Sequence, residues 1–338
     1  MQQHFSFIFS IRCSTFLLPA IIAVFFFFPS SSLAKDSGAT FSAWMDQFRT
    51  EAVNTGISQQ TLDIALLNIN APNPKVIVLD RKQPESLQTL EAYLRARINK
   101  ARIRTGRKMM QLYPTWLGLI GREYGVQGRF LVALWGIESS YGKYIGTFPV
   151  IPSLVTLAYD GRRSNYFRKE LFDALHLIDD GSLPYKRMQG SWAGAMGQCQ
   201  FMPSSFRLYA VDADHSGSIN IWASVPDVLG SAANYLARAG WKNDQTWGRE
   251  VKLPQNFDYS QVGLNVRFHL SRWQALGVRR NNGYPLPTRD LEASLIMPDG
   301  TGGSAYLVYD NFRVLMSWNK SKLFALAVGK LSDQFKYQ

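Results

Sequence analysis

The chain has 338 residues, enough for one large core or two smaller ones, and 46% of them are hydrophobic. Its 37 Lys and Arg against 25 Asp and Glu give a net charge of +12, which attracts polyanions such as nucleic acid, anionic lipid or an acidic wall polymer. No zinc-finger, RNP or basic-zipper pattern accompanies that charge, which argues against nucleic acid, and two cysteines, Cys13 and Cys199, rule out a disulfide framework.

Residues 1–34 read as a secretory signal peptide. Arg12 supplies its positive end, Phe16 to Phe28 its apolar run, and Ser32-Leu33-Ala34 its cleavage site. The run is short for a membrane span, although an uncleaved anchor is the alternative. No cysteine follows it to take a lipid. The expectation is a periplasmic protein with no stable membrane span after cleavage.

Residues 35–125 are predicted as an N-terminal helical region. Phe41, Trp44, Met45 and Phe48 recur at helical spacing. Ser58 reads as an N-cap before Leu62, Ala65 and Leu66, and Pro72 and Pro74 break the chain. Leu87 to Met110 reads as one long basic helix whose Arg and Lys form either a solvated face or a binding patch. Pro114 opens another helix, through Leu117, Ile120 and Tyr124, which Gly125 ends.

Residues 126–338 are predicted as the catalytic region. The apolar run Phe130-Leu131-Val132-Ala133-Leu134-Trp135 leads to Glu138 and then to the helix-ending residues Ser139, Ser140 and Gly142. A carboxyl at the end of such a run is poorly solvated, which raises its pKa and equips it to donate a proton near neutrality. The other reading pairs Glu138 with Arg122 or Arg129, or turns it to water. Lys143 to Pro152 reads as irregular, with helical spacing from Leu154, a turn at Asp160-Gly161-Arg162-Arg163, and a helix from Tyr166 to Ile178.

Ser191 to Ser205 contains no charge and is built of small residues, amides and thioethers. It is either a ligand-approach surface with Gln198 and Gln200 as donors and acceptors, or a tightly packed core loop. Residues 212–227 form an acidic, EF-hand-like loop. Asp212, Asp214 and Ser216 take positions 1, 3 and 5, Gly217 takes position 6, and Asp227 lies beyond. Ser216 departs from the usual acid or amide and Ala223 stands where Glu belongs at position 12, so an Asx-capped surface turn is the alternative to calcium. Val228 to Ala239 reads as a helix, and Asn311 to Ser317 and Ser321 to Leu331 as short amphipathic segments. Leu291 to Met297 and Ala305 to Val308 read as paired strands in a small β segment near 291–308.

The Glu138 stretch, Gly194 to Ser205 and the acidic loop follow in that order. With Leu79-Asp80-Arg81-Lys82-Gln83-Pro84-Glu85, Thr156-Leu157-Ala158-Tyr159-Asp160, Arg162-Arg163, Asn234-Tyr235, Gly240-Trp241 and Trp318-Asn319-Lys320-Ser321, they resemble the lytic murein transglycosylase B family, glycoside hydrolase family 103. The resemblance covers nearly the whole mature chain. It implies a mainly α fold, a lysozyme-like helical core with a small β portion beside a deep substrate groove.

The implied activity is non-hydrolytic cleavage of the MurNAc-GlcNAc β-1,4 bond of peptidoglycan, leaving 1,6-anhydro-MurNAc ends, with Glu138 as acid and then base. The implied substrate contacts are Ser191, Gln200, Asn319, Tyr166, Tyr235, Trp318 and Phe324, with Tyr93 as a further ring. Trp318 and Phe324 stand where the family often has tyrosine, which keeps the rings and removes the hydroxyls. Asp212, Asp214 and Asp227 carry over as ligands of a structural calcium ion, with no cofactor required for the chemistry. A lysozyme-type muramidase and a non-catalytic peptidoglycan-binding protein of the same fold are the alternatives. The sequence gives no basis for an oligomer.

Overall fold

Thr40 caps the first helix among the described residues, α1, spanning Phe41–Asn54, its hydroxyl accepting from the Ala43 amide. The structure is a computed structural model and describes residues 40–82 and 88–335. The signal peptide, Leu87 and the Gln83-Pro84-Glu85 piece lie outside the described residues.

α1 buries Met45, Phe48 and Ala52, the face that the helical spacing marks. Ser58 caps α2, Gln59–Leu66, as expected. Pro74 does more than break the chain. It occupies the first turn of α3, Pro74–Arg81, where its missing N–H costs nothing, and Asn73 caps that helix through the Lys75 and Val76 amides.

The single long basic helix is corrected. α4, Leu90–Arg97, ends at Ile98, and Asn99 starts α5, Lys100–Leu112, by accepting from the Arg102 amide. An Asn side chain that bonds the backbone ahead of it favours a cap over a helix interior, and that local competition divides the segment. α6, Pro114–Tyr124, closes on Gly125 at φ +69°.

α7, Gly128–Ser139, is buried continuously from Phe130 to Ile137. A helix apolar all round must be surrounded, and α5, α6, α11 and α14 pack around this one once the chain has supplied them. β1, Phe148–Pro149, pairs with β2, Gln189–Gly190. Between them run α8, Val150–Tyr159, and α9, Ser164–Asp179. α8 starts at Val150 rather than near Leu154, because Pro152 is tolerated in a first turn. α10, Pro203–Tyr209, and α11, Val225–Arg238, follow.

The β portion exceeds the expected hairpin. β3 (Gly248–Lys252), β4 (Phe268–His269), β5 (Arg279–Arg280), β6 (Glu292–Ile296) and β7 (Ala305–Val308) form an antiparallel sheet in the order β4-β6-β7-β3-β5. α12, Leu270–Ala275, lies between β4 and β5. Ile296, Tyr306 and Val308 enter the main core, whereas Ala293, Leu295, Ala305 and Leu307 enter a second core with Trp273 and Phe257. The two-residue alternation of strands thus feeds two cores, one on each face, and explains why β7 reads as an unbroken apolar run. α13, Asp310–Trp318, and α14, Lys322–Asp333, return the chain to α7.

The main core runs from Met45 to Phe335 and so draws on helices from both ends of the chain. Three of the quoted sequence pieces meet at a joint within it. Asp80 is fully buried and pairs with Arg163 at 2.6 Å and Arg162 at 3.1 Å, while Arg81 reaches Asp160 at 3.0 Å. These residues brace α3 against the turn after α8.

Candidate active site

Glu138 sits on the last turn of α7, one residue before the helix ends. Ser140, Tyr141 and Gly142 all have positive φ, at 51°, 62° and 83°. Two of them carry side chains, so the turn is strained and needs external support. Gly142 N donates to Ser139 Oγ at 3.0 Å, the Tyr141 hydroxyl donates to Arg102 O at 2.8 Å, and Arg102 donates to Ser140 Oγ at 2.8 Å. The basic segment around Arg102 therefore contributes one buttress to this turn.

Trp318 Nε1 donates to Glu138 Oε1 at 2.6 Å. Trp318 has no hydroxyl, but its indole N–H supplies the hydrogen bond at this position. An indole donates only, so it fixes Oε1 as the acceptor oxygen and leaves Oε2 to carry the proton when Glu138 is protonated. The Trp318 ring lies 5.1 Å from Phe201 and 4.7 Å from Tyr235, and the Tyr235 hydroxyl donates to Ser317 O at 2.7 Å. Phe201 is a member of this aromatic wall that the sequence reading missed, although it lies inside the uncharged stretch. The alternative pairing of Glu138 with Arg129 is excluded, because Arg129 reaches Ser332, Asp333 and Thr246 beside the opposite end of α7.

Behind Glu138 is an apolar cavity of about 10 Å³, walled by Leu131, Leu134, Trp135, Val228 and Leu229. Among the described residues lining it, Glu138 is the one acid. Cys199 also lines it, and its thiol is pushed far up by burial and then by the Glu138 and Asp227 charges. A thiol held protonated is no nucleophile, so cysteine chemistry is excluded here.

The uncharged stretch takes the second of its two readings, a tightly packed loop. It is packed: Met196, Cys199 and Phe201 are buried, and a Cβ on Gly190 would stand 2.0 Å from Ala195 O. It also has a polar framework. Gln198 accepts from Trp135 Nε1 and donates to Trp222 O, both at 2.8 Å, and so ties the loop to the Glu138 helix. Gln200, at φ +52°, donates to Ile145 O at 3.2 Å and Gly197 O at 2.9 Å. Ser191 Oγ accepts from the Ala195 amide at 3.1 Å.

Asn319 directly follows Trp318, and its Oδ1 accepts from the Ser321 amide at 3.0 Å. Phe324 is corrected: it is 4% exposed, within the main core, and offers no face for stacking. Tyr93, at 2% exposed, is likewise a core ring. Tyr166 has an exposed ring, while its hydroxyl is held near Glu170; desolvation and then that carboxylate push its pKa up to about 12.

In the acidic loop, Asp212, Asp214 and Asp227 offer carboxylate oxygens within 4.8 Å of one another. Asp212 accepts from the Ser216 and Gly217 amides, and Asp214 from Ser216 N and the Ser224 hydroxyl. Asp227 is fully buried and accepts from the Ala213 and Asn220 amides at 2.8 and 2.7 Å, and burial pushes its pKa up. Three hard oxygen donors at this spacing fit a calcium ion, with the Ser216 hydroxyl in place of a fourth acid.

Residues 40–333 match the family described as the transglycosylase SLT domain. The membrane-bound lytic murein transglycosylase B of Escherichia coli is 32% identical over 251 residues, 72% of this chain and 67% of the relative. SltB3 from Pseudomonas aeruginosa, solved in complex with NAG-anhNAM-pentapeptide, is 44% identical, with a TM-score of 0.84 over 89% of this chain and 80% of that one. Escherichia coli Slt35, solved in complex with calcium, is 28% identical, with a TM-score of 0.73 over 86% of this chain and 92% of that one. These relatives are lytic transglycosylases of lysozyme-like architecture, and the strained turn after Glu138, the aromatic wall and the acidic loop are features of a chain that belongs to the transglycosylase SLT domain family.

Proposed function

We propose that this protein is a lytic murein transglycosylase, a carbon–oxygen lyase acting on peptidoglycan, with Glu138 as its single acid and base. The observation that carries this reading is the solitary carboxyl at the end of α7, backed by an apolar cavity and held at Oε1 by Trp318. Most glycosidases that employ water or a covalent intermediate use a second carboxylate across the bond, whereas this reading gives both proton transfers to Glu138. In the mechanism, Glu138 Oε2 gives its proton to the glycosidic oxygen as the bond to C1 breaks. The resulting carboxylate then takes the proton of the same sugar's C6 hydroxyl as that oxygen bonds C1. The net change is one C–O bond broken, one made and no water consumed.

SltB3 holds an anhydro product, which supports the same outcome for this chain. Substrate contacts are assigned to Ser191, Gln200, Tyr166, Tyr235, Trp318 and Asn319. Export to the periplasm fits the N-terminal apolar run, and among the described residues no helix is long and apolar enough to cross a membrane. Mass spectrometry of the digestion products tests the reaction: fragments lighter than hydrolytic ones by one water are expected, and reducing ends would identify a muramidase instead.

Trp318→Phe keeps the ring between Phe201 and Tyr235 but removes the donor to Glu138. The expected result is a fall in kcat of about tenfold, the value of one charge-assisted hydrogen bond, with KM little changed. A raised KM with kcat unchanged would make Trp318 a binding ring only.

Calcium at Asp212, Asp214 and Asp227 is proposed as a structural ion that offsets most of the charge of three clustered acids. Saturation at 100 times Kd adds about 2.7 kcal/mol, so chelation should lower Tm by several degrees and Asp214→Asn should remove the response. An unchanged Tm on chelation refutes the ion.

A further inference from the structure

β5 is the edge strand of the sheet, paired on one side with β3. A tight turn closes behind it: Gly283 N donates to Arg280 O at 2.8 Å and Arg280 N to Tyr284 O at 2.9 Å. The chain then runs through Pro285 and Pro287, pinned between them by the Leu286 amide on Gln274 Oε1 at 2.7 Å. Together Arg280, Tyr284, Pro285, Pro287, Thr288 and Arg289 border an open pocket of about 490 Å³. Two prolines and a bonded amide make it preformed rather than induced.

Its charge is unbalanced. Arg249 Nε donates to the Tyr309 hydroxyl at 2.6 Å, and that hydroxyl feels the charges of Arg249, Arg280 and Arg289 together. Among the described residues one carboxylate, Asp244, pairs with them, at 2.7 Å from Arg289 in an exposed and therefore weak pair. Arg280 has no ion pair among the described residues, and its buried Nε has no hydrogen-bond partner. That Nε is closed off from the pocket, which leaves the terminal N–H groups of Arg280 to take an acceptor there, and a planar fork matches a carboxylate or a phosphate.

We propose that this pocket binds the terminal carboxylate of a peptidoglycan stem peptide, the tyrosine and prolines forming a shelf for its methyl groups. The proposal rests on the transglycosylase reading for the choice of polymer. The pocket lies away from the scissile bond: the residues flanking Asp244 accept from Gln127, the N-cap of α7, and Glu138 is about 16 Å further along that helix. It therefore holds the wall and takes no part in cutting it.

The test is calorimetry of the full chain with a free stem pentapeptide, with its C-terminal amide, and with inorganic phosphate. The free acid should bind, the amide should bind at least about tenfold more weakly, and Arg280→Gln should lose about tenfold for the acid alone. Arg280→Lys, which keeps the charge but not the fork, should fall between. Arg289→Gln provides the same reading should Arg280 variants fail to fold. Equal binding of acid and amide, or wild-type affinity in the glutamine variants, overturns the site. Displacement of the peptide by equimolar phosphate overturns the peptide assignment. No bond is cut in these measurements, so their failure leaves the role of Glu138 standing, and an active Glu138→Gln enzyme would leave this binding result standing.

Discussion

Glu138→Gln is expected to abolish release of soluble fragments from peptidoglycan while leaving the fold and glycan binding in place. Glutamine keeps an oxygen for the Trp318 N–H, so the 2.6 Å contact and the aromatic wall behind it survive. What it loses is the transferable proton. A positioned acid or base is worth about 10² to 10⁴ in rate, and here both proton transfers pass through one group, so a loss of at least about 10³-fold is expected. The side chain is only half-buried at a helix end and the replacement is isosteric, which predicts a Tm close to that of the wild type. Turbidity clearing of purified sacculi, a pull-down with the same sacculi and a melting curve separate these quantities. Clearing at the wild-type rate would remove Glu138 from the mechanism. Loss of fold along with activity would make it a structural residue.

The position of Glu138 was legible because two local signals coincide there. An apolar run long enough to demand burial ends at Glu-Ser-Ser-Tyr-Gly, and only a supported left-handed turn accommodates that ending. The hairpin of β6 and β7 was legible for a similar reason, as two apolar runs flank a glycine-rich link. What lay hidden depends on partners far away in the chain. β4 and β5 are two residues each, too short to show alternation, and they are strands only because β6 and β3 supply hydrogen bonds. Phe324 looked like a groove ring, but Ser321 caps α14 and places it in the first turn, against the core. The Trp318 contact spans 180 positions, and no local pattern announces it.

Gly146→Ala is expected to be the most damaging single methyl group in the site, although Gly146 itself is neither the acid nor a proposed substrate contact. Gly146 has φ +84°, and a Cβ there would stand 2.1 Å from Gly190 O and 2.5 Å from Ser191 N. These are backbone atoms, so no rotamer change relieves the clash. Two loops must separate instead, and both belong to the site: Ile145 O receives Gln200, and Ser191 holds the Ala195 amide. Left-handed strain alone costs an alanine about 1 to 2 kcal/mol, and displacing a β1–β2 bridge brings the expected total to about 4 kcal/mol. Gly161→Ala is the matched control. Its φ is +83°, nearly the same, but nothing lies within 4 Å of the added Cβ. That variant should lose only the strain term and keep full activity, whereas Gly146→Ala should lose several further degrees of Tm and most of its turnover. Matching melting curves for the two would show that the loops around Gln200 have room to part, and the rigidity assigned to this side of the site would then be wrong.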